Sequence, residues 1–332
     1  MNKALREFKA AIRARRRFDW INSDDMDRSR IVKGWSMSTT YAERQQWTQQ
    51  GAQDAAKRTY DAVKRAINTD PGLRNSTDVF LQGSYANHTN TRGDSDVDVV
   101  VMSKSTYFPV TTQLTAAEAA REQRCGSPSS EGPHDLRKRV EQALVAYFGG
   151  DRVHPKNKCL RVDRRDGYVD ADVVPCNQVR RYTSFPSYGS PSLIEGISIL
   201  PLEGPRIVNY PREHLKNGQS KNQDYVVGER YKPTVRQIKR LRRKAVDLGL
   251  VAKSAAPGYL LECMTYNVPN SLFIPDDSQR LVKVLAWLQT KTVSDLLTFK
   301  SCDEIHHLFV DDPGGHDRFN AVQVIDRLWE LL

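Results

Sequence analysis

Asp96 and Asp98 stand one residue apart in the run Asp96-Val97-Asp98-Val99-Val100-Val101. On a strand, residues i and i+2 share a face, so the two carboxylates lie side by side while Val97 and Val99 turn toward a core. Like charges so placed raise each other's pKa unless a cation sits between them, and hard oxygen donors suit Mg2+. Upstream, the apolar residues Val79 to Leu81 lead into a Gly83-Ser84 turn. Glycine lets backbone N–H groups approach a phosphate closely, and serine adds a hydroxyl donor. Together these residues describe a metal–nucleotide site. A D-x-D in a loop would simply be solvated. This one is embedded in β-branched residues, where buried carboxylates without partners are costly.

A second pair of acids, Asp170 and Asp172, follows the hairpin signal Asp166-Gly167 in Tyr168-Val169-Asp170-Ala171-Asp172-Val173-Val174-Pro175 and shares one strand face. The string from Gly83 to Val101, GSYANHTNTRGDSDVDVVV, resembles the polymerase-beta-like nucleotidyltransferases. More specifically it resembles the bacterial cyclic-oligonucleotide synthases, the CD-NTases of anti-phage signalling, relatives of cyclic GMP-AMP synthase and oligoadenylate synthase. The resemblance runs from about residue 29 to 332, and much follows from it. Asp172, in its D-V-V-P context, is the third metal carboxylate, with Asp170 as competitor. Two Mg2+ or Mn2+ ions bind Asp96, Asp98 and Asp172, and Gly83 and Ser84 hold the β- and γ-phosphates. Lys239, with Arg243 second, reaches the donor triphosphate. Gly258-Tyr259 through Glu262, then Asn267-Val268-Pro269, resembles the S-Y-h-h-E and N-V-P signature and makes Tyr259 a nucleotide-binding residue. Gly258 stands where the family has serine and removes a hydroxyl donor. Residues 207–222 resemble a family stretch to which no chemical role attaches.

The elements that must position these residues follow from periodicity. Leu5, Phe8 and Ile12 fall at near-helical spacing ahead of Arg13, Arg15, Arg16 and Arg17. Residues 29–67 form a long helix or helix pair, interrupted only by Gly34 and Gly51, which the resemblance makes a spine joining two lobes. Strands are expected over 79–81, 96–102, 159–162 and 168–174, a helix over 135–148, and loops over 103–134 and 177–232. Helices recur over 232–248, from 258, over 278–291 with Leu281, Leu285 and Leu288 buried, and over 317–332 with Phe319, Val322 and Trp329 buried. The expected fold is α+β: a nucleotidyltransferase lobe with a mixed sheet over 1–230, including the spine, and a helical lobe over 231–332 closing the nucleotide cleft.

The chain has 332 residues, 39% hydrophobic and 27% charged, as a globular protein does. Fifty basic against forty acidic residues give a net charge of +10, which favours an anionic partner. Five dispersed cysteines without zinc spacing suggest reduced thiols in the cytoplasm, and no apolar run approaches a membrane span. The adjacent His306 and His307 suit a solvated pair better than a ligand pair. The function expected from the resemblance is metal-dependent synthesis of a cyclic di- or trinucleotide from NTPs, ATP among them, with release of pyrophosphate. Linear or single-nucleotide transfer stays open. So does an RNA-binding module without turnover, built on the Arg13–Arg17 cluster and the basic face Arg236–Lys244. Partners would be an activating RNA or regulatory protein, and an effector reached through the product. Asn177, Tyr182 and Tyr188 are chemically suited to reading a base.

Overall fold

The protein is described here by a computed structural model covering residues 38–51, 53–91, 96–127, 129, 132 and 134–332. The basic segment before residue 38, with its arginine cluster, lies outside the described residues. The chain divides into two units: residues 51–216 form one, and residues 38–50 with 217–332 the other.

In the first unit seven strands make one mixed sheet: β1 (Thr77–Gln82), β2 (Asp96–Val110), β3 (Val153–Pro155), β4 (Leu160–Val162), β5 (Asp170–Ser184), β6 (Ser192–Ile199) and β7 (Ile207–Asn209). Their order is β1-β2-β5-β4-β3, with β6 pairing β5 and β7 pairing β6. Only β2 and β5 are parallel; every other pair is antiparallel. Helices α2 (Asp54–Asn68) and α6 (Asp135–Phe148) cover one face. Val63, Ala66, Ile67, Val140 and Leu144 pack there with Val97, Val99, Val101, Ala171 and Val173. Each fully buried valine or leucine contributes about 1.5–3 kcal/mol relative to exposure. That apolar face fixes the strands, and so sends Asp96, Asp98, Asp170 and Asp172 to the opposite one.

Two segments depart from expectation. The supposed loop 103–134 instead continues β2 to Val110 and then forms α5 (Ala116–Cys125), started by a Thr115–Glu118 capping box. β2 carries an irregularity between Ser103 and Tyr107 and loses its β1 partner after Ser103, so the alternation breaks and Pro109 is tolerated on an edge. The supposed loop 177–232 holds the rest of β5, then β6, β7, α7 (Pro211–Lys221) and α8 (Asp224–Val227). Pro175 masked this continuity. It sits where β5 changes neighbour, after β4 ends at Val173 and before β6 begins at Asn177, so its missing N–H costs no ladder bond on that edge. Of the alternatives for the spine, its described part is the helix pair: α1 (Tyr41–Gln46) and α2 are separated at Gly51, whose Cβ, if present, would meet the Thr91 carbonyl oxygen at 2.6 Å, and a short α3 (Pro71–Ser76) precedes β1. The division at Lys216, inside α7, also differs from the expected boundary at 230.

The second unit is helical. α9 (Tyr231–Asp247) buries Tyr231, Val235, Ile238, Leu241 and Ala245 against Leu260, Leu261 and Met264 of α10 (Gly258–Tyr266) and Leu281, Leu285 and Leu288 of α11 (Asp277–Gln289). In α12 (Arg318–Trp329) Ala321, Val324, Ile325 and Leu328 are buried; of the expected residues Val322 and Trp329 are half-buried against the same core, while Phe319 is exposed. The basic face of α9 is not a free surface either. Arg236 donates to the Thr48 carbonyl, Arg240 to those of Gln46 and Gln49, and Lys244 to Ser38 and Glu43, so these cations brace α1. All five cysteines are free. Among the described residues no helix is long and apolar enough to cross a membrane.

Arg280 is fully buried, donating to Thr234 Oγ1 at 2.8 Å and the Ile274 carbonyl at 2.9 Å, and paired with Asp277. Arg280→Ala strands those acceptors and is expected to cost roughly 3–5 kcal/mol, measured by denaturant unfolding. His306 is not a solvated neighbour of His307: its Nδ1 lies 2.7 Å from Asp303 Oδ2 in a mostly buried pair. Burial alone would lower its pKa, but the Asp303 carboxylate outweighs this and raises it. The stabilisation is therefore full below histidine's ordinary value and lost as pH rises through the raised one. Wild type should lose stability relative to His306→Gln as pH rises above histidine's ordinary value of about 6.5, a difference that thermal melts across a pH series would show.

Candidate active site

The β2–β5 register sets Asp96 opposite Asp170 and Asp98 opposite Asp172; the β4–β5 register sets Arg161 opposite Asp172. Three strands therefore bring four carboxylates and one guanidinium to the same face. Arg161 Nη2 lies 2.8 Å from Asp170 Oδ2, and Nε 3.4 Å from Asp163 Oδ1. Its Nη1 lies 3.4 Å from Asp96 Oδ2 and 4.0 Å from Asp172 Oδ1. Asp170 also accepts from the Arg164 N–H at 2.7 Å and its side chain is only 14% exposed, against 28% for Asp172 and 39% for Asp96. Asp170 is thus held by the hairpin that precedes it. Asp96 and Asp172 remain more open to a ligand.

Burial raises the Asp172 pKa, and the Asp96 charge adds to it, against a hydrogen bond from the Cys159 thiol. Cys159 in turn is pushed up to about 12, first by burial and then by the Asp172 charge, so it stays a protonated donor. A carboxylate carrying this penalty beside other carboxylates is one that gains from a cation. The donor set, all hard oxygen with a guanidinium already drawn in, fits a divalent metal.

Gly83 follows β1 with φ +69°. A Cβ there would come 2.1 Å from Asp98 Oδ2, so only glycine lets the turn lie against that carboxylate. Ser84 follows in α4 (Gly83–Ala86), its carbonyl accepting from the N–H groups of Thr89 at 2.9 Å and Asn90 at 3.1 Å. Those bonds fold the segment Asn87–Thr91, buried except at His88, under the turn.

Lys239, Arg243 and Tyr259 belong to the second unit. Lys239 Nζ lies 3.2 Å from Glu262 Oε2, with both side chains nearly enclosed. A Cβ built on Gly258 would come 3.2 Å from Lys239 Cε, so the room freed by the absent serine side chain is where the lysine runs. Arg243 lies one turn further along α9 and is half-buried. Tyr259 donates to Asp312 Oδ2 at 2.6 Å, and Asp312 also accepts from Ser301 Oγ at 2.6 Å. Of the residues suited to base reading, Tyr182 is buried edge-on against Phe185 and belongs to the core. Asn177 accepts from Thr106, and Tyr188 is exposed in the β5–β6 connection.

Residues 216–332 match the cGAS/DncV-like nucleotidyltransferase C-terminal helical domain, and residues 61–126 match the nucleotidyltransferase domain. The chain is 35% identical over 288 residues to the cyclic UMP-AMP synthase of Rhodothermus marinus, covering 86% of this chain and 96% of that one. It belongs to the CD-NTase family of cyclic nucleotide synthases. It is also 30% identical over 261 residues to the cyclic dipurine nucleotide synthase of Elizabethkingia meningoseptica, covering 78% of this chain and 86% of that one. The Rhodothermus marinus CdnE c-UMP-AMP synthase, solved with Apcpp and Upnpp, aligns at TM-score 0.76 and 33% identity over 88% of this chain and 96% of that one. As a CD-NTase the chain is a nucleotidyltransferase that makes cyclic nucleotides from nucleoside triphosphates, in a family serving bacterial anti-phage defence whose chemistry uses divalent metal ions.

Sequence reasoning missed Arg161 and Cys159. Arg161 had a local signal, a cation between the inward-facing Leu160 and Val162, but its position opposite Asp172 depends on register across residues 163–169. Gly83→Ala should leave the helix-facing core untouched while forcing Asp98 away. Product formation is expected to fall by about a hundredfold or more, with a stability loss of only about 1–3 kcal/mol, read by turnover and melting on the same preparation.

Proposed function

We propose that Asp96, Asp98 and Asp172 are the carboxylates that hold the catalytic metal, and that Gly83 and Ser84 receive the β- and γ-phosphates of a nucleoside triphosphate. The observation that carries this reading is the register itself, which faces Asp98 with Asp172 while Gly83 abuts the Asp98 carboxylate. Two divalent ions, Mg2+ or Mn2+, would supply charge neutralisation at the triphosphate and activation of the attacking ribose hydroxyl. The chain's own groups do the rest. The Gly83 turn brings backbone close to Asp98 without a side chain in the way, and the Ser84 hydroxyl donates to a phosphate oxygen. Asp172, whose carboxylate burial and the Asp96 charge leave poorly stabilised, would gain from the bound cation. Attack on the α-phosphorus forms the new phosphodiester and expels pyrophosphate; a second round closes a dinucleotide ring and a third a trinucleotide ring.

In the second unit, Lys239 and Arg243 are proposed to meet the donor triphosphate and Tyr259 the nucleotide. Lys239 is held in place by Glu262, and Tyr259 by Asp312. A binding module without turnover is poorly supported, because three of the α9 cations invoked for RNA, Arg236, Arg240 and Lys244, are occupied by the carbonyls and carboxylate of 38–49.

The test is incubation with all four labelled NTPs and Mg2+ or Mn2+, phosphatase treatment, and identification of the surviving product by mass spectrometry. A phosphatase-resistant cyclic dinucleotide or trinucleotide is expected from wild type. Asp96→Asn, Asp98→Asn and Asp172→Asn should each reduce it by about a hundredfold or more at unchanged melting behaviour. Full activity in any of the three would remove that residue from the metal site.

A further inference from the structure

Arg161 is bound unevenly. Its one short contact, to Asp170 at 2.8 Å, anchors the guanidinium beside the β4–β5 hairpin, and the Asp163 carboxylate at 3.4 Å adds its charge on that side. Its remaining nitrogen makes a long hydrogen bond to Asp96 at 3.4 Å and reaches Asp172 at 4.0 Å by charge alone, both weaker than the contact to Asp170. A metal bound by Asp96 and Asp172 would compete directly with that nitrogen, whereas Asp170 and Asp163 would keep the rest of the fork.

We infer that Arg161 is a positioning residue that competes with the divalent cation: it neutralises Asp96 and Asp172 before metal arrives, then yields them while staying anchored on Asp170 and Asp163. This rests on the reading of Asp96 and Asp172 as metal ligands. It also gives Asp170 a task distinct from theirs, as the anchor of the guanidinium rather than a metal ligand. The site therefore stays assembled at low metal, and metal affinity is weakened by one positive charge.

The full chain, stripped of metal and free of nucleotide, is titrated with Mn2+ and free ion followed by electron paramagnetic resonance, with melting temperatures recorded in parallel. Arg161→Gln should bind Mn2+ about tenfold more tightly, the scale of removing a unit charge a few ångströms away in a partly solvated site. It should also melt lower without metal and gain more from saturating Mn2+ than wild type does. Arg161→Lys, which keeps the charge but not the fork, should fall between the two, and it carries the test alone if Arg161→Gln does not fold. Unchanged or weaker Mn2+ binding in the folded variant overturns the inference. Asp172→Asn separates the two readings. If it abolishes Mn2+ binding while the Arg161 variants bind as wild type, the inference fails alone. If it binds Mn2+ normally, the assignment of the metal ligands fails.

Discussion

Four carboxylates on adjacent strands repel one another, and the sheet gives them no way to separate. Asp96 and Asp98 alternate with Val97 and Val99, and Asp170 and Asp172 with Ala171 and Val173, whose side chains are fully buried against α2 and α6. Shifting either strand by one residue would relieve the charge only by driving aspartates into the core and valines out of it. The repulsion must be met where it stands. Arg161 meets it from β4, and Asp172 still carries a raised pKa, so the face is incompletely neutralised by protein alone. An anion-bearing substrate that brings its own cations completes the balance, which is why this constraint and the chemistry on NTPs are one problem.

Charge in the second unit is resolved differently. α1 has only six residues and no buried side chain, so it is marginal on its own. Its C-terminal carbonyls and the turn after it receive Arg236 and Arg240, while Lys244 reaches Glu43 near its start. Cations at a helix C-terminus complement the backbone dipole and satisfy orphan carbonyls. A basic face is thereby turned into a brace, and part of the net positive charge is committed to holding the chain together.

The site's chemistry was legible where type and spacing alone constrain it. D-x-D in a β-branched run, a Gly-Ser turn after a strand and a second D-x-D after a hairpin all appear as expected, on one mixed sheet. What escaped depends on partners distant in sequence. Whether Asp170 or Asp172 faces Asp98 is decided by register, and the neutral hydrogen-bonding thiol of Cys159 by what surrounds Asp172. Pro175 looked like a strand end because one residue cannot show that β5 changes neighbours around it. The opposite error at α12, where Phe319 was assigned inward, arose because short amphipathic helices admit two neighbouring faces, and packing chose the one with Ala321 and Leu328.

Base choice is of another kind. Every group on the carboxylate face is proposed to act on phosphate or ribose, parts that all four NTPs share. Nothing there can tell uracil from adenine. The two relatives considered fit this: one is named for UMP and AMP, the other for two purines, and the chain is comparably similar in sequence to both. Discrimination must come from side chains that meet a base edge, where one hydrogen-bonding group placed or removed changes preference strongly because an unmatched buried polar group is penalised. With Tyr182 absorbed into the core, two of the three residues first suited to that task are left, and of these Asn177 already spends its carbonyl oxygen on Thr106.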